Sequence, residues 1–398
     1  MAQKGVSLVE LMVAVLVGLL SLYAVYRAYE GTERTKRTVI SVGDTQVTGL
    51  YSIFVLEHDL KSAGARLMAP LDASGGAGNA ALLAHCSNEG NIWATKSGAL
   101  GSSDTRAKLS LRPIPVLIVP NRKNFDDVFI FFGNSSYHLD PVTVTASNGN
   151  TTTIATPFGF KQGDVLVDSR AKAGTPEAPG ASERDCQTYV VPQNSLDRSG
   201  NFPADVMSDT VALHLQGPAE APAAKDRLID LGKPVRHHFY VNKENTLQMQ
   251  EWRFETDKKG VSAWWPARTD PLVSGVVSLR AMYGIGDVTA SVDVNGNHVI
   301  GPVKQWVPAT SPWNSATILS APLDTVRQIK AVWLSIIVRA DEPEIDSAVA
   351  ATLPTTLTPF SACPQGTTCP PSVAVTLPTG WRYRMYETVV PLVNTIRN

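Results

Sequence analysis

Lys4-Gly5-Val6-Ser7-Leu8-Val9-Glu10-Leu11-Met12-Val13-Ala14 opens an apolar run that meets no further charge until Arg27. With Val6 to Val9 included, the run covers about 20 positions, the length a helix needs to cross a bilayer. Glu10 interrupts it. A carboxylate placed deep in a bilayer costs about 2.5–3.5 kcal/mol on insertion scales, so an acid kept here needs a partner. A plain signal anchor with a glutamate near its cytoplasmic edge is the competing reading. A cleaved secretory signal fits less well, because the run is long and no small-x-small site follows it.

No proline occurs before Pro70, so one helix can run from Val6 past Leu60. In its distal half Val39, Val42, Leu50, Ile53, Leu56 and Leu60 recur at spacings near three and four, and this predicts an apolar face for packing on a globular domain. Gly31, Gly43 and Gly49 weaken the helix locally, each by up to about 1 kcal/mol relative to alanine.

Glycine, acid and apolar run hold a joint spacing that resembles the class III signal sequence of type IV prepilins. The resemblance implies that a prepilin peptidase cuts between Gly5 and Val6 on the cytoplasmic side and methylates the new Val6 amine. It makes Glu10 the assembly glutamate, whose carboxylate meets the Val6 amine of a neighbouring subunit in a water-poor filament core, where an unpaired charge is expensive. Two positions depart from the family pattern: Val6 stands where Phe or Met is more usual, and Ser7 where Thr is commoner. Arg27, Arg34, Lys36 and Arg37 follow the run, against only Lys4 before it, which opposes a simple positive-inside count. Long domains translocate despite such flanking charge.

Two further stretches resemble PilW-type minor pilins. One is Leu56 to Gly64, where Ala-Gly closes the long helix and Gly64 serves as the C-terminal cap. The other is Tyr383 to Asn394, an Arg-containing strand followed by a tail of Thr, Val, Leu and Asn. Leu279 to Gly284 is similar to a Tyr-Gly strand end in that group.

Composition agrees with an extracytoplasmic, loop-rich β protein. The chain has 398 residues, net charge -1 and only 18% charged residues, below the roughly 25% of a typical soluble domain. No basic face for nucleic acid is indicated. Beyond Pro70, strands are expected at Asp127–Phe132, Asp164–Val167, Thr188–Val191, Val211–Leu215, Val235–Val241, Leu247–Phe254, Ala331–Val338 and Arg382–Val390. A short helix is expected at Leu323–Ile329, and hairpin turns at Asn148-Gly149 and Asn295-Gly296. Residues 171–181, 217–224 and 351–371 read as surface loops. Cys363 and Cys369 enclose a short turn and are expected to pair; by elimination Cys86 pairs with Cys186.

No nucleophile elbow, phosphate loop, dinucleotide fingerprint or zinc-protease motif is present. His237-His238 lie on an expected strand and so point to opposite faces. Asp293 to Asn297 lacks the distal glutamate of a calcium loop, and Trp264-Trp265-Pro266 suits sheet packing as well as recognition.

The expected fold is α+β and pilin-like: a long N-terminal helix, membrane-spanning in its first half, packed on a large β-rich domain. The divisions are 1–5 leader, 6–26 membrane half, 27–66 amphipathic half and 67–398 globular domain. The expected function is that of a minor pilin that helps start or cap a type IV pilus, supporting adhesion or twitching motility. A type II secretion pseudopilin and a membrane-anchored, adhesin-like binding protein are the alternatives. No enzymatic activity, cofactor or metal is expected. The partners implied are prepilin peptidase, other minor and major pilins, a tip adhesin and the inner membrane. The globular domain is expected to be periplasmic first and then displayed on the pilus at the cell surface.

Overall fold

The computed structural model describes residues 7–69, 81–82, 114–135, 142–148, 151–154, 160–161, 163–169, 186–191, 211–214, 227–256, 262–292, 298–321, 323–344 and 347–396. Its first element is α1 (Leu8–Ser62), 55 residues of helix, about 80 Å at a rise of about 1.5 Å per residue. The most apolar stretch of α1 is long enough to cross a membrane and buries none of its residues against the rest of the chain. The following polar stretch is stitched by Arg27–Glu30 and Arg37–Glu33 pairs, both 3.6 Å, at the i,i+3 and i,i+4 spacings that stabilise isolated helix.

The helix ends where the sequence implied. Gly64 has φ +74°, and its N–H donates to Phe131 O at 2.9 Å. The Asn394 side-chain amide donates to Lys61 O and Ala63 O at 3.2 and 3.1 Å. The C-terminal tail thereby satisfies carbonyls that a helix end leaves without partners.

The strands follow in chain order. A short pair, β1 (Met68–Ala69) and β2 (Ala81–Leu82), precedes the hairpin β3 (Val116–Arg122) and β4 (Phe125–Phe132). Then come β5 (Val142–Asn148), β6 (Thr151–Ile154), β7 (Val165–Ser169), β8 (Cys186–Val190), β9 (Val211–His214) and β10 (Arg227–Gly232). The run β11 (Val235–Val241), β12 (Leu247–Thr256), β13 (Ser262–Val273), β14 (Val276–Val292) and β15 (His298–Pro308) leads through α2 (Ser315–Ser320) and α3 (Leu323–Arg327) to β16 (Ile329–Arg339). The chain closes with α4 (Ser347–Ala350), β17 (Thr356–Leu357), β18 (Val375–Thr376), β19 (Tyr383–Pro391) and α5 (Val393–Ile396).

Two large sheets result. The first, of nine strands, has the order β13-β12-β11-β4-β14-β16-β19, with β15 beside β14 and β3 beside β4; the second is β8-β7-β10-β5-β6-β9. They share a core through β7 and β10. Val165, Val167, Ile229 and Leu231 face the main cluster, whereas Leu166 and Leu228 face the smaller one. β16 explains its own composition: every residue from Ile329 to Val338 is buried. Val332, Leu334, Ile336 and Val338 join the core beneath α1, while Ala331, Trp333 and Ile337 lie under residues 351–380 on the other face. A strand covered on both sides loses the usual alternation and becomes continuously apolar.

Three sequence expectations need correction. First, the packed face of α1 is only partly the expected one: Leu56 and Leu60 are buried and Ile53 packs against the core, but the contact extends N-terminally through small residues instead of Val39 and Leu50. Thr45, Ser52, Leu56 and Leu60 are buried together with Ala63, and Gly49 lies against the Tyr386 ring. Val39 and Leu50, expected in that face, are 65% and 53% exposed. A flat strand carrying a tyrosine demands small residues opposite it, so apolar periodicity misplaced this part of the contact. Second, β14 continues through Gly284 instead of ending there. A Cβ at Gly284 would stand 2.7 Å from the Trp306 ring, so the glycine admits an aromatic neighbour inside the strand. Third, β3, β10 and β13 lie beyond the strands and hairpins the sequence suggested. β13 contains Pro266 and Pro271, which argue against a strand unless it lies at an edge, as this one does. The two hairpins around Asn148-Gly149 and Asn295-Gly296 are present as β5–β6 and β14–β15 pairs, although residues 149–150 and 293–297 lie outside the described residues.

Candidate functional site

Helix α1 carries two stripes. Packed on the sheet are Thr45, Gly49, Ser52, Leu56 and Leu60. At 3.6 residues per turn, Val39, Ile40, Val47, Leu50 and Phe54 fall on the opposite side. All five are exposed, Val47 to 69%. The apolar surface of the N-terminal half, from Leu8 at 76% exposure to Tyr29, is separated from this stripe by the charged and polar residues 30–38. One side of the distal helix thus carries the globular domain, and the other presents a second exposed apolar stripe. Exposed apolar patches of this kind mark an interaction or membrane face.

Glu10 lies in the first turn of α1, where its carboxylate accepts the Ser7 backbone N–H at 3.2 Å. Within one chain the acid therefore caps its own helix and faces the positive end of the helix dipole. The Ser7-x-x-Glu10 spacing, which is that of a capping box, signals this role; reading Glu10 only as a charge for a neighbour missed it. Gly5 and Val6 lie outside the described residues.

At its far end α1 is latched to the sheet. His237 Nδ1 and Asp59 Oδ2 are 2.5 Å apart, both largely buried, and the Phe132 ring meets His237 edge-on. His238 points the other way, as its strand position requires. Its Nε2 lies 3.0 Å from Asp127 Oδ2, and its ring stacks on Phe129 with centroids 4.1 Å apart. The two histidines serve separate contacts. Among the described residues no group of three or more His, Cys, Asp or Glu is placed to hold a metal.

A cleft of about 1010 Å³ opens between residues 26–44 of α1 and the segment around 341–349. Arg37 reaches across it to Glu342 at 3.6 Å. Asp44 and Asp341 also face one another there, and burial followed by the neighbouring Asp341 raises the Asp44 carboxyl above its ordinary value. The lining mixes both charge signs, which suits a contact between helix and domain.

The outer face of the sheet is covered by residues 351–380. Phe360 meets Trp333, which in turn meets Trp306, at centroid distances of 4.8 and 5.4 Å. The structure places Cys363 and Cys369 in a disulfide, with Cα atoms 5.9 Å apart. Its loop seals the edge of β15: Trp306 N–H donates to Thr368 O, and Thr368 N–H to Lys304 O. Cys86 lies outside the described residues, and only the backbone of Cys186 is described. The same holds for Trp264 and Trp265 within β13.

A long N-terminal helix, apolar and unpacked in its first half and docked by its second half on a β-rich domain, is an α+β, pilin-like architecture. Residues 238–394 match the family described as Type IV Pilus-assembly protein W, PilW, and the match supports a PilW-type member of the type IV pilus family. It begins at His238 within β11 and runs through β19, and so includes β16 and β19, on which α1 packs, and Asn394, which caps it. Searches of curated proteins and of solved structures return no significant match. The matched family is one of type IV pilus assembly, which implies interaction with other pilus components and suggests a place in the cell envelope; the apolar half of α1 is long and apolar enough to cross a membrane.

Proposed function

We propose that this chain is a minor subunit of a type IV pilus. In this reading prepilin peptidase cuts between Gly5 and Val6 and methylates the Val6 amine. The inner membrane holds the apolar half of α1 while the β-rich domain waits on the periplasmic side. The subunit then enters a filament with other minor and major pilins, where it helps start or cap assembly. Its role is mechanical and structural; no catalytic step is assigned to it. The observation that carries the reading is the apolar stripe of α1 that faces away from the chain's own domain. A membrane anchor needs such a surface only as far as the bilayer reaches, yet beyond the charged and polar residues 30–38 exposed apolar side chains resume at Val39 and run to Phe54, opposite the packed face.

Glu10 connects this reading to chemistry. Before cleavage it accepts the Ser7 N–H. After cleavage the new amine at Val6 gives the first turn a second positive group, and in a filament core the carboxylate of one subunit balances the amine of the next. Removing one member of a buried pair costs on the order of 3–5 kcal/mol. The test compares the protein recovered in sheared filaments with that left in membranes, for wild type and Glu10→Ala. Depletion of the variant from filaments, with membrane insertion intact, is expected. Equal recovery overturns the assignment of Glu10, and absence of the wild-type chain from filaments overturns the subunit reading itself.

A further inference from the structure

Two half-buried arginines of this fold each grip a carboxylate: Arg280 meets Asp126 at 3.2 Å, and Arg382 meets Glu344 at 2.6 Å. Arg236 on β11 differs. It is only 8% exposed, yet among the described residues no carboxylate, carbonyl or hydroxyl accepts a hydrogen bond from its guanidinium. Its contact is aromatic, with the guanidinium carbon 4.8 Å from the centre of the Phe129 ring. His238, two residues along and on the same face of the strand, stacks on that ring as well. The acid beside it, Asp127, is already held by His238 Nε2 and by the Asn121 amide, both at 3.0 Å.

Arg236 lines a small cavity together with Ile114, Leu117, Phe129, Phe131 and Leu319. The cavity lies on the side of β11 turned away from α1, because the adjacent His237 points to Asp59 and neighbours on a strand face opposite ways. Leu319 belongs to α2, which packs on β3. A buried charge without a partner is far more costly than a buried neutral group. Burial lowers the Arg236 pKa to about 10, so the group keeps its charge at neutral pH. The cavity measures about 10 Å³, room for one water-sized body. A buried water is normally held by about two to four polar partners, whereas five of the six side chains here are apolar. A water in this place is poorly held and leaves the charge unbalanced.

We propose that this cavity binds a single halide ion, chloride, held by the Arg236 guanidinium. The guanidinium offers only donors, so its complement is an acceptor, and its uncompensated charge makes that acceptor an anion. The size of the cavity restricts the anion to one atom; sulfate and carboxylates exceed the space. The bound ion neutralises the buried charge and so stabilises the packing of α2 on the sheet. The site uses nothing from α1 and is independent of the subunit reading above.

The test is thermal unfolding of the purified full chain in detergent, in the sodium salts of chloride, bromide, sulfate and gluconate at equal ionic strength. An ion that binds only the folded state raises the unfolding temperature as its concentration rises. Chloride and bromide should do so by about 2–5 °C between half-saturation and a hundredfold higher concentration; sulfate and gluconate should not. Broadening of the chloride NMR line by the protein, reversed by added bromide, reads binding directly. Arg236→Met removes the charge and keeps an apolar chain in place; it relieves a costly burial and should fold. It should lose both the halide response and the line broadening, while Arg236→Lys should keep a weaker response. Equal unfolding temperatures in chloride and gluconate, with no broadening, overturn the site. So does a wild-type response in Arg236→Met. A sulfate effect as large as that of chloride overturns the choice of a halide. If Arg236→Met fails to fold, the bromide competition on the wild-type chain decides alone.

Discussion

The Tyr386 ring lies directly over Gly49, so close that a Cβ on residue 49 would fall inside the ring's van der Waals surface. The Tyr386 hydroxyl donates onward to Thr45 O at 3.3 Å, one turn earlier on the same helix. This contact joins the last strand of the sheet to the middle of the long helix, and it sets how closely the two approach.

Gly49 and Gly43 should therefore respond in opposite ways. Gly49→Ala forces the ring to move, and overpacking of this kind typically costs about 1–3 kcal/mol. At Gly43 nothing lies within 4 Å, so Gly43→Ala should stabilise by up to about 1 kcal/mol through helix propensity. Chemical denaturation of the purified chain checks both; equal effects would show that the Tyr386 contact does not control docking.

Burial pushes the Asp164 carboxyl up to about 6, despite the Lys161 N–H that donates to it. Its folded pKa exceeds its unfolded one, so the folded chain binds the extra proton between the two values. Asp164 therefore favours the folded state as pH falls from about 6 towards about 4, by up to about 2–3 kcal/mol. Stability should decline as pH rises through that window. Asp126, also raised by burial, acts in the same direction. Thermal melts between about pH 4 and 7 should show a shallower slope for Asp164→Asn than for wild type.

Reducing the Cys363–Cys369 bond, or replacing Cys363 with Ser, should cost on the order of 2 kcal/mol, the chain-entropy value for so short a loop. The loss should concentrate in residues 351–380 and in the edge of β15 that Thr368 covers. Non-reducing peptide mapping tests the pairing itself, and hydrogen exchange with and without reductant locates the change.

Processing gives the last prediction. Membrane-derived protein should have an intact mass corresponding to a chain that begins at Val6 and carries one methyl group. Gly5→Arg should leave residues 1–5 attached. Retention of those residues in wild type, in cells with active prepilin peptidase, would remove the basis for assigning Gly5 and Val6.

The local chemistry of the N-terminus was legible without any structure. Bilayer length, charge spacing and the absence of proline are properties of consecutive residues, and they specified a long helix with an apolar first half and Glu10 near its start. Gly64 likewise announced the helix end, and the continuous apolar run of β16 announced a strand. What the sequence could not state is which side of α1 meets the domain. Apolar periodicity found the C-terminal part of that face, where Leu56 and Leu60 are buried and Ile53 packs on the core. The rest is built from Thr45, Gly49 and Ser52, small residues whose value lies in what they admit, and Tyr386 stands far away in the chain. There the periodicity pointed instead to Val39 and Leu50, which remain exposed. The Asp59–His237 latch and the Asn394 cap have the same character: each joins groups distant in sequence, and only the folded sheet brings them within hydrogen-bond reach. The position of β19 at the end of its sheet depends on strand order alone, since whether a strand lies inside a sheet or at its border is decided by which other strands arrive beside it.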